Sequence, residues 1–250
     1  LKNEIIKEED NMAQEVFKRY EKKYMVTIAQ YNELISQMIT KLNADQYGKH
    51  TISNIYFDTP DYSLIRASLE KPVYKEKIRL RSYGTPSEDD TVFIELKKKY
   101  DGVVYKRRIP MTLREARKYL YYGIQPETGS QILQEIEYSM NRYEPKPMVY
   151  LAYERIAFYG KEDAELRVTF DMNIRAREFN LDLKKGSYGI PLLEKGHMLM
   201  EIKIPGAMPT WMSHILSELA IYPVSYSKYG AYYQDYIMNQ NVYKGGKVCA

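Results

Sequence analysis

The chain has 250 residues, enough to bury a sizeable core in one large α+β domain or in two small ones. Lys and Arg number 37 against 33 Asp and Glu, and the net charge of +4 excludes a globally basic, nucleic-acid-coating protein; a cationic site here is made by clustering. One cysteine, Cys249, excludes an internal disulfide framework and fits a reducing compartment.

Residues 1–14 are charged and weakly patterned, and are expected to be an N-terminal arm or an expression remnant. A strand is expected from Phe17 (FKRYEKKYMV), with Arg19, Glu21 and Lys23 on one face. Thr27 can cap a helix running to about Ala44, since Ile28, Tyr31, Ile35, Met38 and Leu42 recur at helical spacing. Thr51 to Phe57 reads as a strand, and Asp58-Thr59-Pro60-Asp61 as a turn in which Pro fixes φ. Two further basic strands flank the loop Ser82–Asp90, and a fourth follows at Val103. Thr112 and Glu115 form a capping box for a helix ending near Gly123. A second helix covers 130–141 with Ile132, Leu133, Ile136 and Met140 buried. Strands resume at 147–160, in LRVTFDMNIRARE and in HMLMEIKIPG; Thr210 caps a helix, and a Tyr-rich helix lies around 229–239. Residues 15–240 read as a single domain, with 241–250 as a tail.

The stretch from Lys75 to Arg108 carries the functional signal. Alternation places Lys75, Lys77, Arg79 and Arg81 on one face, with Ile78 and Leu80 on the other. Glu95, Lys97 and Lys99 oppose Val92, Ile94 and Leu96, and Lys106 and Arg108 oppose Tyr105 and Ile109. One such strand is ordinary, because half-buried strands keep a polar face in water and lysine protects sheet edges. Three in succession stack like charges that repel, and a polyanion relieves that repulsion. About eight antiparallel strands with cations on one face fit a barrel that turns the charge inward, with helices packed outside. In the later strands Tyr153 and Arg155 share a face, as do Arg167, Thr169 and Asp171, and as do Leu199, Glu201 and Lys203. The 26 tyrosines suit strands bordering a wet interior.

The ordered set KRYEKKY, NIYFDTPDY, KIRLRSYG, FIELKKK, VVYKRRIP, YERIAF, LRVTFD, LMEIKIPG and SKYG, from about Phe17 to Tyr236, resembles the catalytic domain of the vacuolar transporter chaperone (VTC) family. These are polyphosphate polymerases of the triphosphate tunnel metalloenzyme, or CYTH-like, superfamily. The resemblance implies an antiparallel β-barrel tunnel that grips a triphosphate. It also implies transfer of the γ-phosphate of ATP to a growing inorganic polyphosphate chain, dependent on Mn²⁺ or Mg²⁺. Lys23, Arg79, Arg81, Lys97, Lys106, Arg155 and Arg167 match the family's tunnel cations, with Tyr153 in the Y-x-R element and Ser227 and Lys228 in the S-K element. Glu201 matches the metal-binding glutamate. Arg19, Lys77, Arg108 and Lys203 are expected to bind substrate with them. The wider superfamily has E-x-E-x-K where this chain has Arg19-x-Glu21-x-Lys23; Glu21 is left as a metal ligand or a salt-bridge partner that spaces the cations.

Phosphoryl transfer asks the protein mainly for positioning and charge neutralisation, and the acceptor phosphate is already anionic, so no catalytic base is assigned. His50, His197 and His214 have no metal-ligand spacing, and no P-loop is present. Two other readings stay open: a tunnel triphosphatase acting on inorganic or nucleoside triphosphate, and a non-catalytic polyphosphate or inositol-phosphate binding module. Nucleic acid is not an expected partner, although a single-stranded RNA tunnel lined with exposed aromatics is a further alternative. No apolar run approaches the roughly 20 residues of a membrane span and no signal peptide is visible, so the expectation is cytoplasmic, with a membrane partner and the oligomeric state left open.

Overall fold

The computed structural model describes residues 20–239, apart from residues 102 and 128. The alternating segments form strands because each has one apolar row to pack and one polar row to leave on the other side. In chain order the elements begin β1 (Tyr20–Thr27), α1 (Ile28–Met38), β2 (Leu42–Ala44), β3 (His50–Asp58), α2 (Ser63–Leu69), β4 (Tyr74–Tyr83), β5 (Thr91–Tyr100) and β6 (Val103–Thr112). Next come α3 (Leu113–Tyr122), α4 (Gln131–Tyr143), β7 (Lys146–Gly160), β8 (Arg167–Arg177), β9 (Ile190–Pro191) and β10 (His197–Ile204). Last are α5 (Thr210–Glu218) and α6 (Lys228–Tyr232), which continues as a π-helix over Tyr233–Met238.

These strands form one antiparallel sheet in the order β1-β10-β8-β7-β3-β4-β5-β6, with β2 added to β7 and β9 to β8. The sheet curls into the expected tunnel, but among the described residues hydrogen bonds do not close it: β1 and β6 are its ends. Residues of both ends nonetheless line one cavity of about 1070 Å³, with Lys75 and Lys77 of β4 and Lys97 and Lys99 of β5.

Two apolar cores lie on the outer face. Val26, Met200, Phe170 and Val168 pack under Leu34 and Met38 of α1 and Met212 and Ile215 of α5. Ile78, Leu80, Ile94 and Leu96 pack under Ala116 of α3 and Leu133 and Ile136 of α4. The helix α3 starts where the capping box places it, with Thr112 and Glu115 exchanging hydrogen bonds, and stops at Gly123 in the left-handed region with φ 69°. A third core lies on the inner face. Tyr56, Leu151, Tyr153 and Leu199 meet Ile65 of α2 and Tyr229, Tyr232 and Tyr233 of the C-terminal helices. Four helices thus sit outside as expected, while α2, α6 and the π-helix fill part of the interior.

Three local readings change. The helix opened by Thr27 stops at Met38, because Leu42–Ala44 leaves to pair with Phe158–Gly160 and buries Leu42 in the outer core. Pro209, not Thr210, holds the N-cap position of α5, and no side chain caps that end. The turn after β3 leads into a helix that local pattern does not announce: Asp58, fully buried, accepts the backbone N–H groups of Leu64 and Ile65. The expected strand start at Phe17 lies outside the described residues, as do the arm and the tail.

Asp58 also accepts the hydroxyl of Tyr229 at 2.9 Å, so one carboxylate ties α2 and α6 to the end of β3. Asp58→Ala orphans these buried donors and is expected to cost about 3 kcal/mol. The check is a lowered urea midpoint at constant m-value; an unmoved midpoint would mean that other contacts hold α6 in place.

Candidate functional site

The alternation of β4, β5 and β6 carries into three dimensions. Register sets Lys75 opposite Lys99, Lys77 opposite Lys97, Lys97 opposite Lys106, and Glu95 between Arg79 and Arg108. The inner face therefore holds adjacent cations on three strands, a destabilising arrangement unless countercharge is supplied.

Glu95 is the first countercharge. It is buried, and its Oε2 accepts from Arg79 Nε at 2.8 Å and Nη2 at 2.6 Å. Its Oε1 lies 3.2 Å from Lys106 Nζ and 3.5 Å from both Arg81 Nη1 and Arg108 Nε. Burial opposes ionisation, yet Arg79, Arg81 and Lys106 outweigh it and hold this carboxyl well below the usual range. The arginines are themselves propped. Asn54 Oδ1 accepts from Arg81 Nε at 3.0 Å while Asn54 donates to the Leu151 carbonyl, and Tyr153 OH accepts from Arg81 Nη2 at 3.4 Å. Tyr56 OH accepts from Arg79 Nη1 at 3.0 Å, and its ring stacks on Tyr229 at 4.8 Å.

The second countercharge is the pair Asp171 and Glu201. Arg155 donates to both oxygens of Asp171, at 2.6 and 2.7 Å, and lies 3.7 Å from Glu201. Lys228, carried inward by α6, lies 2.6 Å from Asp171 and 3.0 Å from Glu201. Lys23 and Lys203 each stand 3.9 Å from Glu201, and Lys203 is also 3.9 Å from Glu21. Burial of Glu201 is outweighed by Lys228, Lys203, Lys23 and Arg155, which hold it well below the carboxylate range. Between the two nodes Lys77 donates to Ser227 Oγ at 3.1 Å, and Ser227 also caps α6 through Gly230 N.

The expected residues are thus largely brought together. Lys97 is exposed on the inner face beside Lys77 and lines the cavity. Two stand apart. Arg19 lies outside the described residues. Arg167 has the inward parity, but it is exposed at the start of β8 opposite Lys203 and joins no ion pair among the described residues. Sequence reasoning missed Glu95 and Asp171 as organising groups, and Asn54 and Tyr56 as props. The signal for the acids was present, a carboxylate within an inward row of cations; Asn54 and Tyr56 had only strand alternation to mark them.

Among the described residues no group of three or more His, Cys, Asp or Glu side chains is placed to hold a metal. Glu201 and Glu21, linked through Lys203, offer at most two carboxylates. That donor set fits an ion that arrives with phosphate oxygens, since Mg²⁺ commonly takes one or two carboxylates and completes its shell from substrate and water.

Fold and site define a tunnel-type antiparallel β domain whose inner face is cationic and braced by buried carboxylates. The VTC domain family model matches residues 18–236, and the chain belongs to that family. Vacuolar transporter chaperone complex subunit 4 of Schizosaccharomyces pombe is 27% identical over 145 residues, covering 49% of this chain and 20% of that protein. The subunit 4 of Trypanosoma cruzi is 24% identical over 203 residues, covering 66% of this chain and 25% of that protein. The chain therefore spans a quarter or less of the length of these relatives. Among solved structures, a putative adenylate cyclase from Bacillus halodurans shares the fold, with a TM-score of 0.53 at 17% identity over 83% of this chain and 92% of that one.

Burial, then the neighbouring Lys97, Lys23, Lys75 and Arg79, push Lys77 down to about 7. At pH 8 this amine is mostly neutral in the free protein, and an anion laid against it restores the charge. Polyphosphate binding at pH 8 is expected to take up as much as about one proton through Lys77, and far less at pH 6 where the amine is already charged. Calorimetry in two buffers of different ionisation heat reads this directly, and Lys77→Met should lower the pH 8 uptake to the share left to Lys106, whose amine burial pushes down to about 8. Equal uptake in wild type and variant would place the proton on another group.

Proposed function

We propose that the chain is the catalytic domain of a polyphosphate polymerase, which moves the γ-phosphate of ATP onto the terminal phosphate of a growing inorganic chain. The observation that carries this reading is the surplus of cation over carboxylate on a half-enclosed inner face. Glu95 alone faces Arg79, Arg81, Lys106 and Arg108, while Lys75, Lys77, Lys97 and Lys99 line the cavity beyond it. A polyanion lying along β4 meets a cation at each inward position from Lys75 to Arg81. Family membership supports the same reading.

Arg79, Arg81 and Arg155 present planar donors to phosphate oxygens, in partial exchange for the carboxylates they now face. Lys23, Lys77, Lys97, Lys106, Lys203 and Lys228 act as point charges that follow the chain; Ser227 holds Lys77, and Tyr153 holds Arg81 through its hydroxyl and Lys228 over its ring. Their joint work is to align donor and acceptor and to spread the charge that develops on the transferring group. A divalent ion, Mn²⁺ or Mg²⁺, would be held by Glu201 with Glu21 and phosphate oxygens, and would supply further neutralisation of the leaving group. Because the relatives are subunits of a complex, a protein partner for this chain is part of the proposal; no helix among the described residues is long and apolar enough to cross a membrane.

Incubation with ATP and Mn²⁺ or Mg²⁺, followed by a gel stained for polyphosphate, is expected to give a ladder of long chains with ADP. Orthophosphate without a ladder would make the protein a triphosphatase, and intact ATP with tight polyphosphate binding would make it a receptor. Glu201→Ala should keep polyphosphate affinity within about threefold, a change under ~1 kcal/mol, and lose metal-dependent turnover; normal turnover would remove the metal assignment. Arg79→Ala should lose binding and turnover together.

A further inference from the structure

One end of the inner face is not used by this account. On β4, β5 and β6 the inward row that carries the cations ends in a ring, and so does the inward row of the neighbouring β3. Tyr83 follows Arg81 on β4, Phe93 precedes Glu95 on β5, Pro110 follows Arg108 on β6, and His50 precedes Ile52 on β3. Register brings these termini side by side, with Phe93 opposite both Arg81 and Pro110, and Tyr83 opposite Ile52. The rings form a chain: Tyr83 to Phe93 at 5.8 Å, His50 to Tyr83 at 5.9 Å, and Tyr47 to His50 at 6.4 Å.

The shelf is open, since Tyr83 is 48% and Tyr47 70% exposed. Its link to the cationic face is Arg108, whose guanidinium lies 3.5 Å from the Phe93 ring centre and donates to Tyr83 OH at 3.1 Å while its Nε faces Glu95 at 3.5 Å. That Nε is buried and makes no hydrogen bond. The shelf therefore begins with Phe93 level with Arg81, and Tyr83 lies one inward position past that arginine, a step of about 7 Å along a strand.

An inorganic phosphate chain gains nothing from aromatic rings. A nucleotide does, because every base offers a π-face to an aromatic or an arginine. A structural role for the rings would favour burial, yet Tyr47 and Tyr83 present much of their surface to solvent. We infer that this shelf, centred on Tyr83, seats the nucleobase of a nucleoside triphosphate whose phosphates lie against Arg79, Arg81 and Arg108. The inference rests on the reading of the inner face as a triphosphate grip. It makes the Tyr83 end the side from which the nucleotide enters, and leaves the lysine-lined cavity at Lys75 and Lys99 for the inorganic chain.

The test separates base from phosphate. ATP and inorganic tripolyphosphate are titrated calorimetrically, without divalent metal, into the wild-type protein, Tyr83→Ala and Tyr83→Phe. Tyr83→Ala should weaken ATP about tenfold and leave tripolyphosphate unchanged, whereas Tyr83→Phe, which keeps the ring and loses the contact to Arg108, should bind both normally. Equal weakening of both ligands in Tyr83→Ala would mean that Tyr83 acts by positioning Arg108, and would overturn the inference. Unchanged ATP binding in Tyr83→Ala, with tripolyphosphate still held, would overturn it while sparing the phosphate grip. Failure of the wild-type protein to bind either ligand would overturn both.

Discussion

Repulsion among like charges on one face of a sheet is the constraint to which the rest of the molecule answers. Cross-strand neighbours in an antiparallel pair have Cβ atoms about 5 Å apart, and here Lys75 and Lys99, Lys77 and Lys97, and Lys97 and Lys106 are such neighbours. Two devices make this tolerable. Buried carboxylates take the inner-face arginines, Glu95 holding Arg79 and Arg81 at one node and Asp171 with Glu201 holding Arg155 and Lys228 at the other. The outer face does the cohesive work, with two apolar cores under four helices. Two of the three apolar cores thus lie on the outer side, and part of the inner side is left free to carry charged groups that a continuous packed core would forbid.

The interior is itself divided. Tyr56, Tyr153 and Leu199 belong to an apolar cluster with Tyr229, Tyr232 and Tyr233, and these rings border the cations directly. Arg155 lies 5.2 Å from the Tyr153 ring centre, and Lys228 lies 4.7 Å from the same ring. Low dielectric on that side strengthens every ion pair beside it and makes an unpaired charge costly. The C-terminal segment is therefore part of the site: α6 brings Ser227 and Lys228 to it, and Asp58 anchors α6 through Tyr229.

How much of this was legible in the sequence follows from which properties are local. Strand parity is local, and it placed Arg79, Arg81, Lys97, Lys106, Arg155, Glu201 and Lys203 on the inner face without any knowledge of the fold. Capping is local too, and Thr112, Glu115 and Gly123 bounded α3 correctly. Register is not local. Nothing in the segment around Glu95 says that Arg79 and Arg108 will flank it on two different strands, so its part as the centre of a node stayed hidden. Arg167 shows the converse: its parity was right, but position along the strand decides whether an inward residue reaches its neighbours. The early end of α1 was illegible because it is set by a distant partner, β7, whereas α2 was missed although its anchor is close in sequence: Asp58, read as a turn residue, accepts from Leu64 and Ile65. Ser227 and Lys228 came from family resemblance alone, since a loop has no periodicity to read.

The unpaired ends of the sheet have a mechanical consequence. A barrel sealed by a complete ladder has its girth set by strand number and shear, and cannot widen without breaking backbone hydrogen bonds. Among the described residues β1 and β6 are the two ends of the ladder, and both border a cavity that Glu21, Lys23, Lys97 and Lys99 also line. Such a seam behaves as a spring made of charge. On the proposed function, lysines that face only one another would hold it slack, and a phosphate chain between them would draw the two edges together from the inside. Substrate would then serve as the last structural member of the ring, and the bore would adjust to what occupies it.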